Sequence, residues 1–375
     1  MRIGYDAKRA FLNHTGLGNY SRWLIWSMAF YYPKNSYYLY TPKVEQDNGL
    51  SVHIDLKNVV AIVPRSKLFT SWWRSSGIVH DLKRDQIELY HGLSHELPRN
   101  IHKKDIKSVV TVHDLVFMRF PLYFGLFDRL IYGAKLRHAC RIADGIVAIS
   151  ERTKQDLVEL LKVSPDKIDV IYQGCDVSFR SICMEDQKQA VVEKYNLPSE
   201  FVLSVGTIEE RKNLLQLIKA LPELKSKIKL VVVGRHTKYT EKVKQAIYEL
   251  QLGDRVIFLD SVSFSDLPAI YQLAKVFVYP SRYEGFGIPV LEALCSGAPV
   301  IAATGSCLEE AGGPDSLYAG PDDVKGLADK LNLVLGDESL RQKMILKGKE
   351  YSGNFADDKL AAQMFAVYQK LLQHA

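Results

Sequence analysis

The chain has 375 residues, of which 47% are apolar and 25% are charged, and this length and composition predict about two ordinary globular domains. No run approaches the roughly 18 apolar residues of a membrane-spanning helix, and the chain begins with a strand-like segment rather than a signal peptide. Five cysteines without C-x2-C spacing argue against a disulfide framework or a structural zinc and favour a reducing cytosol.

The formal net charge of +6 is unevenly distributed along the chain. Residues 1–170 contain 25 Lys and Arg against 17 Asp and Glu, whereas residues 171–375 contain 24 against 26. A basic first half attracts anionic partners such as phospholipid headgroups or a pyrophosphate-linked acceptor. No nucleic-acid-binding motif accompanies this charge, so we prefer a membrane surface or an anionic acceptor over nucleic acid. A solvated imbalance without any partner is the alternative.

Apolar β-rich segments alternate with helical patterns, which is typical of parallel sheets with crossover helices. The predicted strands are residues 2–6, 37–41, 59–63, 87–91, 108–113, 145–149, 168–172, 201–205, 228–233, 255–259, 276–279 and 299–302. The predicted helices are about 18–31, 125–142, 150–162, 212–221, 240–251, 266–274, 289–296, 323–335, 337–349 and 354–374. The pattern predicts an α/β protein with two doubly wound sheets, separated by a break over 173–198 with its seam near Gly174.

A glycine-containing loop, Asn13-His14-Thr15-Gly16-Leu17-Gly18-Asn19-Tyr20-Ser21, follows the first strand. Its Gly-x-Gly entry to a helix predicts a place where backbone approaches phosphate or sugar. Ser21 replaces the third glycine of a dinucleotide fingerprint, and no acidic residue clearly ends a second strand about 20 positions further on. A nicotinamide-dependent oxidoreductase, which needs both features, is therefore the less favoured interpretation.

The strand at 108–113 ends in His113-Asp114. A histidine at the end of a parallel strand is expected to point into a cleft, and the alternative is a histidine fixed by a local hydrogen bond. Two segments near it in the chain, 117–127 and Trp72-Trp73-Arg74, are rich in aromatic residues. Core packing is the first expectation for these rings, and exposure would favour contact with sugars or lipid.

Adjacent cations, Arg211 and Lys212, occupy the strand–helix loop Val205-Gly206-Thr207-Ile208-Glu209-Glu210-Arg211-Lys212-Asn213. Arg offers a bidentate fork and Lys a point charge, and together they suit a diphosphate. A basic pair on a solvated face is the alternative, which the position on a strand–helix loop makes less favourable.

Two carboxylates, Glu284 and Glu292, stand eight positions apart in Tyr283-Glu284-Gly285-Phe286-Gly287-Ile288-Pro289-Val290-Leu291-Glu292. The segment follows a buried strand, and Pro289 predicts a helix start that places Glu292 in the first turn. Ligands of open α/β sheets bind at the carboxyl ends of strands, and a helix start offers free N–H groups to anions. The segment therefore predicts a ligand rich in hydroxyls and phosphate, and a tight turn with solvated acids is the alternative.

As a set, these segments resemble the motifs of retaining GT-B glycosyltransferases of the group-4 family (GT4), and within it a subgroup that contains many bacterial mannosyltransferases. The resemblance covers nearly the whole chain and includes the G-T-x-E-x-R-K-N block and the E-x7-E segment. The chain departs from the family at Glu210, where many relatives have proline, at Gln173, where asparagine is usual, and at Glu309, which replaces the proline of a Pro-Glu pair.

The resemblance implies two Rossmann-like domains with an interdomain cleft. Residues 1–174 would form the acceptor domain, completed by a C-terminal segment, 356–375, that crosses back, and residues 175–355 would form the donor domain. Closure about the 173–198 break would exclude water from the donor.

The resemblance also implies roles for individual residues. His113 would contact the transferred sugar, with Asp114 orienting its ring or the acceptor. Arg211 and Lys212 would hold the donor diphosphate, as Glu284 holds sugar hydroxyls. The further residues expected to bind the donor are Gly16, Gly18, Gly206, Phe286, Gly287, Ile288 and Glu292, the last through the ribose.

The resulting expectation is a retaining, metal-independent hexosyltransferase, with mannose from GDP-mannose as the best donor assignment and a glycan or lipid-linked acceptor. No Asp-x-Asp motif is present to hold a divalent ion, so no metal and no cofactor are expected. The alternatives are a UDP-sugar donor and a non-catalytic sugar-nucleotide binder. We expect a cytoplasmic protein, with peripheral contact to an anionic inner membrane face as a further possibility.

Overall fold

The computed structural model describes residues 1–44, 52, 56–66, 68–103 and 105–373. The chain forms two compact units, Met1–Gly174 with Phe355–Ala375, and Cys175–Asn354. The first boundary coincides with the predicted seam near Gly174, and residues 374 and 375 of the expected C-terminal segment lie outside the described residues.

The first unit is built on a parallel sheet. Its strands are β1 (Arg2–Asp6), β2 (Ser36–Tyr40), β3 (Val59–Ile62), β4 (Leu89–Gly92), β5 (Lys107–Val112), β6 (Gly145–Ala148) and β7 (Ile168–Val170). Within the described residues they lie in the order β3-β2-β1-β4-β5-β6-β7. The order reverses beside β1, which is where doubly wound sheets bind ligands at their carboxyl ends.

The second unit repeats this plan. Its strands are β8 (Phe201–Val205), β9 (Lys229–Val233), β10 (Val256–Leu259), β11 (Val276–Tyr279), β12 (Val300–Ala303) and β13 (Leu317–Ala319). They pair in parallel in the order β10-β9-β8-β11-β12-β13. The central strand β11 is buried along its whole length, because helices cover both faces of such a sheet.

The helices follow the strands as crossover connections. The α-helices are α1 (Lys8–Leu12), α2 (Gly16–Tyr31), α3 (Thr70–Trp72), α4 (Ile78–Arg84), α5 (Val116–Arg119), α6 (Leu126–Ile142), α7 (Glu151–Leu161), α8 (Glu185–Tyr195), α9 (Leu214–Ala220), α10 (Tyr239–Glu249), α11 (Leu267–Leu273), α12 (Ile288–Ser296), α13 (Leu308–Gly312), α14 (Val324–Gly336), α15 (Glu338–Ser352) and α16 (Asp357–Gln373). Short 3-10 turns occur at Ile101–Lys103, Pro121–Tyr123, Pro165–Lys167, Val177–Arg180, Glu210–Lys212, Leu221–Glu223, Gly253–Arg255 and Gly353–Phe355, and a π-helical turn, Trp73–Gly77, joins α3 to α4. Among these elements, none has both the length and the apolar character that crossing a bilayer requires.

Helices α1, α3, α4, α5, α8 and α13 were not predicted from sequence. Helix α8 lies within the break over 173–198 and packs on α11 in the second unit. Its apolar signal is weak, since Val191 is its buried residue, and Gln187 Oε1 caps its start by accepting the Met184 N–H at 3.0 Å. Strand β13 was not predicted either, because its three residues are too short to show a period.

The C-terminal helix α16 belongs to the first unit, which confirms the expectation that the chain crosses back. It packs on α2, where the Trp23 indole N–H donates to Asp357 Oδ1 at 2.7 Å. The hydroxyl of Tyr368 reaches the sheet and lies 2.6 Å from His91 Nδ1. The last helix is therefore fixed by a buried polar network as well as by apolar packing.

Candidate active site

The predicted site residues fall into two groups, one in each unit. In the second unit, Arg211 and Lys212 follow β8, and Glu284 follows β11. In the first unit, His113 follows β5, and the glycine loop opens α2. Each group lies at the carboxyl ends of central strands, where ligands of doubly wound sheets bind.

The loop after β8 is held against the end of β11. The turn Glu210–Lys212 ends at Asn213, whose φ of 57° is left-handed, a conformation that asparagine tolerates. Asn213 Nδ2 donates to the Pro280 carbonyl at 3.2 Å, and the Arg282 backbone N–H donates to the Arg211 carbonyl at 2.9 Å. These bonds fix the position of the loop that carries the two cations.

Glu284 binds both cations directly. Arg211 Nη1 lies 2.8 Å from Glu284 Oε2, and Lys212 Nζ lies 2.6 Å from Oε1. The same Oε1 accepts hydrogen bonds from the hydroxyls of Tyr279 at 3.1 Å and Ser281 at 2.5 Å. The three charged residues Arg211, Lys212 and Glu284 are termed the ion cluster below. The family resemblance assigned the two cations to the diphosphate and Glu284 to the sugar, and the structure shows that Glu284 also contacts both cations directly.

Burial and charge act in opposite directions on the ion cluster. Burial by itself raises the pKa of Glu284, but Lys212 and Arg211 outweigh it and lower that pKa to about 2. Burial lowers the pKa of Lys212 despite the nearby Glu284. Burial also opposes the charge on Arg211, but the Glu284 and Glu209 carboxylates raise its pKa. The cluster thus offers preformed cationic donors whose carboxylate partner could be exchanged for phosphate oxygens.

The turn after Glu284 requires glycine at position 287. Gly287 has a φ of 117°, and a Cβ there would lie 2.8 Å from Leu308 Cδ2. Gly287 is the N-cap of α12, and the buried Phe286 before it is held through its carbonyl, which accepts from Cys307 Sγ at 2.9 Å. Pro289 has no N–H, and the amides of Val290 and Leu291 donate to the Gly287 carbonyl at 2.9 and 3.2 Å. The amide of Ile288 is therefore the group of the first turn that suits the expected contact with ligand oxygens.

Glu292 lies apart from the ion cluster in its hydrogen bonding. It is the fifth residue of α12, so the expectation that it occupies the first turn is wrong. The Tyr271 hydroxyl donates to Glu292 Oε2 at 3.0 Å. Burial raises the pKa of Glu292 to about 7, although the bond from Tyr271 lowers it. This carboxyl therefore changes charge near neutral pH, unlike Glu284.

His113 is held by two hydrogen bonds to its ring. Its Nε2 donates to the Leu93 carbonyl at 2.8 Å, and Gln173 Nε2 donates to its Nδ1 at 3.3 Å, which fits the neutral tautomer protonated on Nε2. Burial lowers the pKa of His113 to about 3. Leu93 and Gln173 thus orient the ring, and Asp114 Oδ1 accepts from the Val116 N–H at 3.1 Å. A role of Asp114 in orienting the ring or the acceptor stays a prediction.

The three glycines predicted to bind the donor through the loops, Gly16, Gly18 and Gly206, differ in what their local structure requires. Gly18 is required by close packing, because a Cβ there would lie 1.9 Å from the Asn13 carbonyl oxygen, and its N–H already donates to Thr15 O at 2.9 Å. Gly16 begins α2 and has open space at its Cα. Gly206 has a φ of 147° at the end of β8. Donor contact by these glycines stays a prediction.

Sequence reasoning did not find the neutral partners of the charged groups. Tyr279 is the last residue of β11, and its hydroxyl accepts from Lys212 Nζ at 2.6 Å. Tyr271 on α11 holds Glu292, and His95 Nε2 accepts the backbone N–H of His113 at 2.8 Å. A tyrosine at the last position of a buried strand was a usable signal for Tyr279, because its hydroxyl needs a partner there.

Family models match both units. The model described as Glycosyltransferase Family 4 matches residues 33–179, and the model described as Glycosyl transferases group 1 matches residues 185–351. The chain belongs to the family 4 glycosyltransferases. This membership excludes the nicotinamide-dependent oxidoreductase considered from the glycine loop.

Curated relatives and solved structures agree with this family. The O-antigen chain mannosyltransferase B of Escherichia coli is 29% identical over 293 residues, which cover 76% of this chain and 74% of that protein. The serotype-specific mannosyltransferase WbdA of Escherichia coli is 31% identical over 276 residues, 71% of this chain, but the match spans only 34% of that longer protein. The sucrose-phosphate synthase of Thermosynechococcus elongatus superposes with a TM-score of 0.81 over 100% of both chains at 20% identity, which shows the shared GT-B fold.

Proposed function

We propose that this glycosyltransferase moves mannose from GDP-mannose, with retention of anomeric configuration, to a glycan or lipid-linked acceptor in cell-surface polysaccharide synthesis. The observation that carries the proposal is the ion cluster, which sets two cations at strand ends beside a glycine turn and a helix start. The mannosyltransferase relatives, one of them an O-antigen chain enzyme, support mannose and an O-antigen-like product. A UDP-sugar donor is the alternative.

The ion cluster would bind the donor by exchange of partners. The donor diphosphate would take the place of Glu284 on Arg211 and Lys212, since phosphate oxygens accept the same charge-assisted bonds. Glu284 would then accept hydroxyl hydrogen bonds from the sugar, and Glu292 from the ribose. The cations act most strongly as the sugar departs, because negative charge then accumulates on the leaving diphosphate.

The proton of the acceptor hydroxyl would pass to the leaving diphosphate on the same face of the sugar. Glu284, with a pKa lowered to about 2, is ionised at neutral pH and carries no proton to donate. His113, with a pKa lowered to about 3, is neutral, and in the proposal its Nδ1 exchanges Gln173 for a sugar hydroxyl. Their low pKa values make both groups weak bases, so neither is suited to accept the proton of the acceptor hydroxyl, and the departing oxygen is the proposed base.

We propose further that catalysis needs no metal ion, because Arg211 and Lys212 supply the positive charge that a divalent ion provides in other sugar transferases. Treatment with EDTA should therefore leave the transfer rate unchanged. A loss of activity that added Mg²⁺ or Mn²⁺ restores would contradict this part of the proposal.

Peripheral contact with the inner membrane face is proposed for an exposed apolar surface around the start of α6. The two aromatic segments contain both buried and exposed side chains. Phe117 and Trp73 are buried, whereas Leu122 is 97% and Phe127 80% exposed. The members of this apolar surface are Leu122, Leu126, Phe127, Leu130 and Ile131. An exposed apolar patch on a basic unit fits an anionic bilayer.

Vesicle sedimentation tests this contact. The full chain should pellet with vesicles that contain phosphatidylglycerol, and Leu126→Ser/Phe127→Ser should release it. Leu346→Ser, which changes an exposed leucine of the second unit, is the matched control. Equal pelleting of the double variant and the control would contradict the proposed surface.

The donor is tested with a nucleotide panel. Thermal-shift measurements with GDP, UDP, ADP and NAD should give the largest stabilisation with GDP, because ligands that bind only the folded state raise its stability. Product analysis by NMR then reports the anomeric configuration. Stabilisation by UDP alone would change the donor assignment to a UDP-sugar. A product of inverted anomeric configuration would contradict the retaining mechanism.

A further inference from the structure

A cavity of about 500 Å³ lies wholly within the first unit. It is bounded by the ends of β1 and β4 and by α3 and α6. Its charged lining residues are Asp6, Lys8, Arg74, Glu96, Arg99 and Lys135. None of the roles argued above uses this cavity.

Both carboxylates of the cavity are already paired. Arg74 Nη2 lies 2.8 Å from Asp6 Oδ2 and 2.7 Å from Glu96 Oε2. Lys135 Nζ lies 3.0 Å from Glu96 Oε1. The two remaining cations, Lys8 and Arg99, have no salt-bridge partner within the described residues. The cavity therefore has an excess of positive charge that its own acids do not neutralise.

The charged form of Lys8 is disfavoured in its surroundings. It is half-buried, and burial together with repulsion from Arg74 and Arg9 outweighs the attraction of Asp6 and Glu96 and lowers the pKa of Lys8. An anion in the cavity would relieve both effects. The hydroxyls of Thr70 and Ser71, which also line the cavity, add neutral donors suited to phosphate oxygens.

The cavity lies next to His113 through the loop that follows β4. Glu96, in its wall, directly follows His95, whose Nε2 accepts the backbone N–H of His113 at 2.8 Å. The cavity also borders exposed apolar side chains. Thr70 and Ser71 stand between Phe69 and Trp72, both exposed, and Ile131 of the apolar surface lies one turn before Lys135 on α6.

We propose that this cavity is the acceptor subsite, and that Lys8 and Arg99 bind a phosphoryl or diphosphoryl group of the acceptor. This rests on the proposed function, because it assumes that the sugar is transferred beside His113. The position beside exposed apolar side chains suits an acceptor with an anionic head and an apolar tail.

Calorimetric titration with inorganic pyrophosphate tests the subsite. The full chain is first saturated with GDP, or with the nucleotide that the donor panel identifies, so that the ion cluster is occupied. Lys8→Gln/Arg99→Gln should then bind pyrophosphate at least about tenfold more weakly than the unchanged chain, because it loses two charge-assisted contacts. The matched control, Lys34→Gln/Lys83→Gln, removes two exposed lysines outside the cavity and should bind normally.

Competition identifies the source of the phosphate. Displacement of pyrophosphate by a short-chain polyprenyl diphosphate supports a lipid-linked acceptor, and displacement by a sugar phosphate alone supports a soluble one. The subsite is overturned if the saturated chain binds no pyrophosphate or if the double variant keeps full affinity. Arg99→Gln, which changes an exposed side chain, decides the matter if the double variant does not fold.

Nucleotide binding keeps this test separate from the proposed function. Calorimetric titration of the double variant with GDP should give the affinity of the unchanged chain, because neither substitution changes the ion cluster. Pyrophosphate binding that the double variant loses, in a chain that binds none of GDP, UDP or ADP, would contradict the proposed function and leave the anion site supported.

Discussion

Both units bury polar side chains at the carboxyl ends of their strands, but one stabilises them by charge and the other by neutral hydrogen bonds. In the second unit, the ion cluster satisfies a buried carboxylate with two cations. In the first unit, a histidine network that contains His91, His95 and His113 is buried in neutral form. Burial lowers the pKa of His91 to about 3, of His95 to about 4 and of His113 to about 3.

The hydrogen bonds of the histidine network explain why its rings can be buried without charge. His91 Nδ1 lies 2.6 Å from the Tyr368 hydroxyl, and its Nε2 lies 2.8 Å from Thr111 Oγ1, which also contacts the Tyr20 hydroxyl at 3.0 Å. Both ring nitrogens of His91 and of His113 have partners, so these two rings avoid the cost of an unsatisfied buried group. The second unit thus holds a buried carboxylate by charge, whereas the first positions histidines without charge. In the proposed function only the charged cluster exchanges its partner for an anion.

The largest expected effect is on the ion cluster itself. Glu284→Gln leaves the half-buried Lys212 without its carboxylate partner and leaves Arg211 with Glu209 alone. It should lower the free energy of unfolding of the second unit by about 3 kcal/mol. Urea unfolding followed by circular dichroism measures the change. Glu292→Gln, in the same unit, is the control, and an equally large loss there would mean that the ion cluster has no special role in stability.

The histidine network should make the first unit sensitive to acid. Because the folded pKa of each histidine is below its unfolded value of about 6.5, the unfolded state binds more protons as the pH falls, and stability is lost below that value. From pH 7.5 to 5.5 the loss should be about 1 kcal/mol per histidine. The four tryptophans at positions 23, 26, 72 and 73 all lie in this unit, so tryptophan fluorescence during urea unfolding reports it.

The ion cluster should not contribute to that acid sensitivity. Glu284, with its pKa lowered to about 2, loses its stabilising charge only as the pH falls below its unfolded value toward 2. His14→Asn, which changes an exposed histidine, is the control for the first unit. A flat stability of the first unit between pH 7.5 and 5.5 would show that the network histidines are charged or exposed.

Removal of one cation should affect turnover more than binding of the acceptor. Lys212→Ala should lower kcat at least about tenfold, equivalent to about 1.4 kcal/mol, because the leaving diphosphate loses a charge-assisted contact. Steady-state transfer from GDP-mannose measures this. Lys219→Ala, an exposed lysine on α9, should keep full activity, and an unchanged kcat in Lys212→Ala would remove Lys212 from the mechanism.

The smallest expected effect is the titration of Glu292. Its pKa is raised to about 7, so its ionised fraction, and with it the strength of ribose binding, should rise as the pH increases from 6 to 8. We expect GDP affinity to rise roughly fivefold more in the unchanged chain than in Glu292→Gln, because ionic hydrogen bonds are stronger than neutral ones. Parallel pH profiles of the two proteins would argue against ribose contact by Glu292.

The same residue gives the second unit a pH response of opposite sign. A carboxyl whose folded pKa is above its unfolded value binds more protons in the folded state. Its contribution to the stability of the second unit should therefore be lost as the pH rises from the unfolded value of about 4.3 to about 7. The first unit gains stability over that range, and the two trends together test the comparison.

The sequence by itself determined the alternation of strands and helices, the seam near Gly174 and the residue types of the site. Periodicity and strand-end motifs are local patterns, so they can be read from the sequence without knowing which residues are in contact. Only the tertiary structure decided which side chains are in contact. Glu284 contacts both cations, the Tyr271 hydroxyl donates to Glu292, and Leu93 and Gln173 hold the His113 ring. These pairings join residues far apart in the chain, and burial then sets their pKa values, which no local pattern encodes.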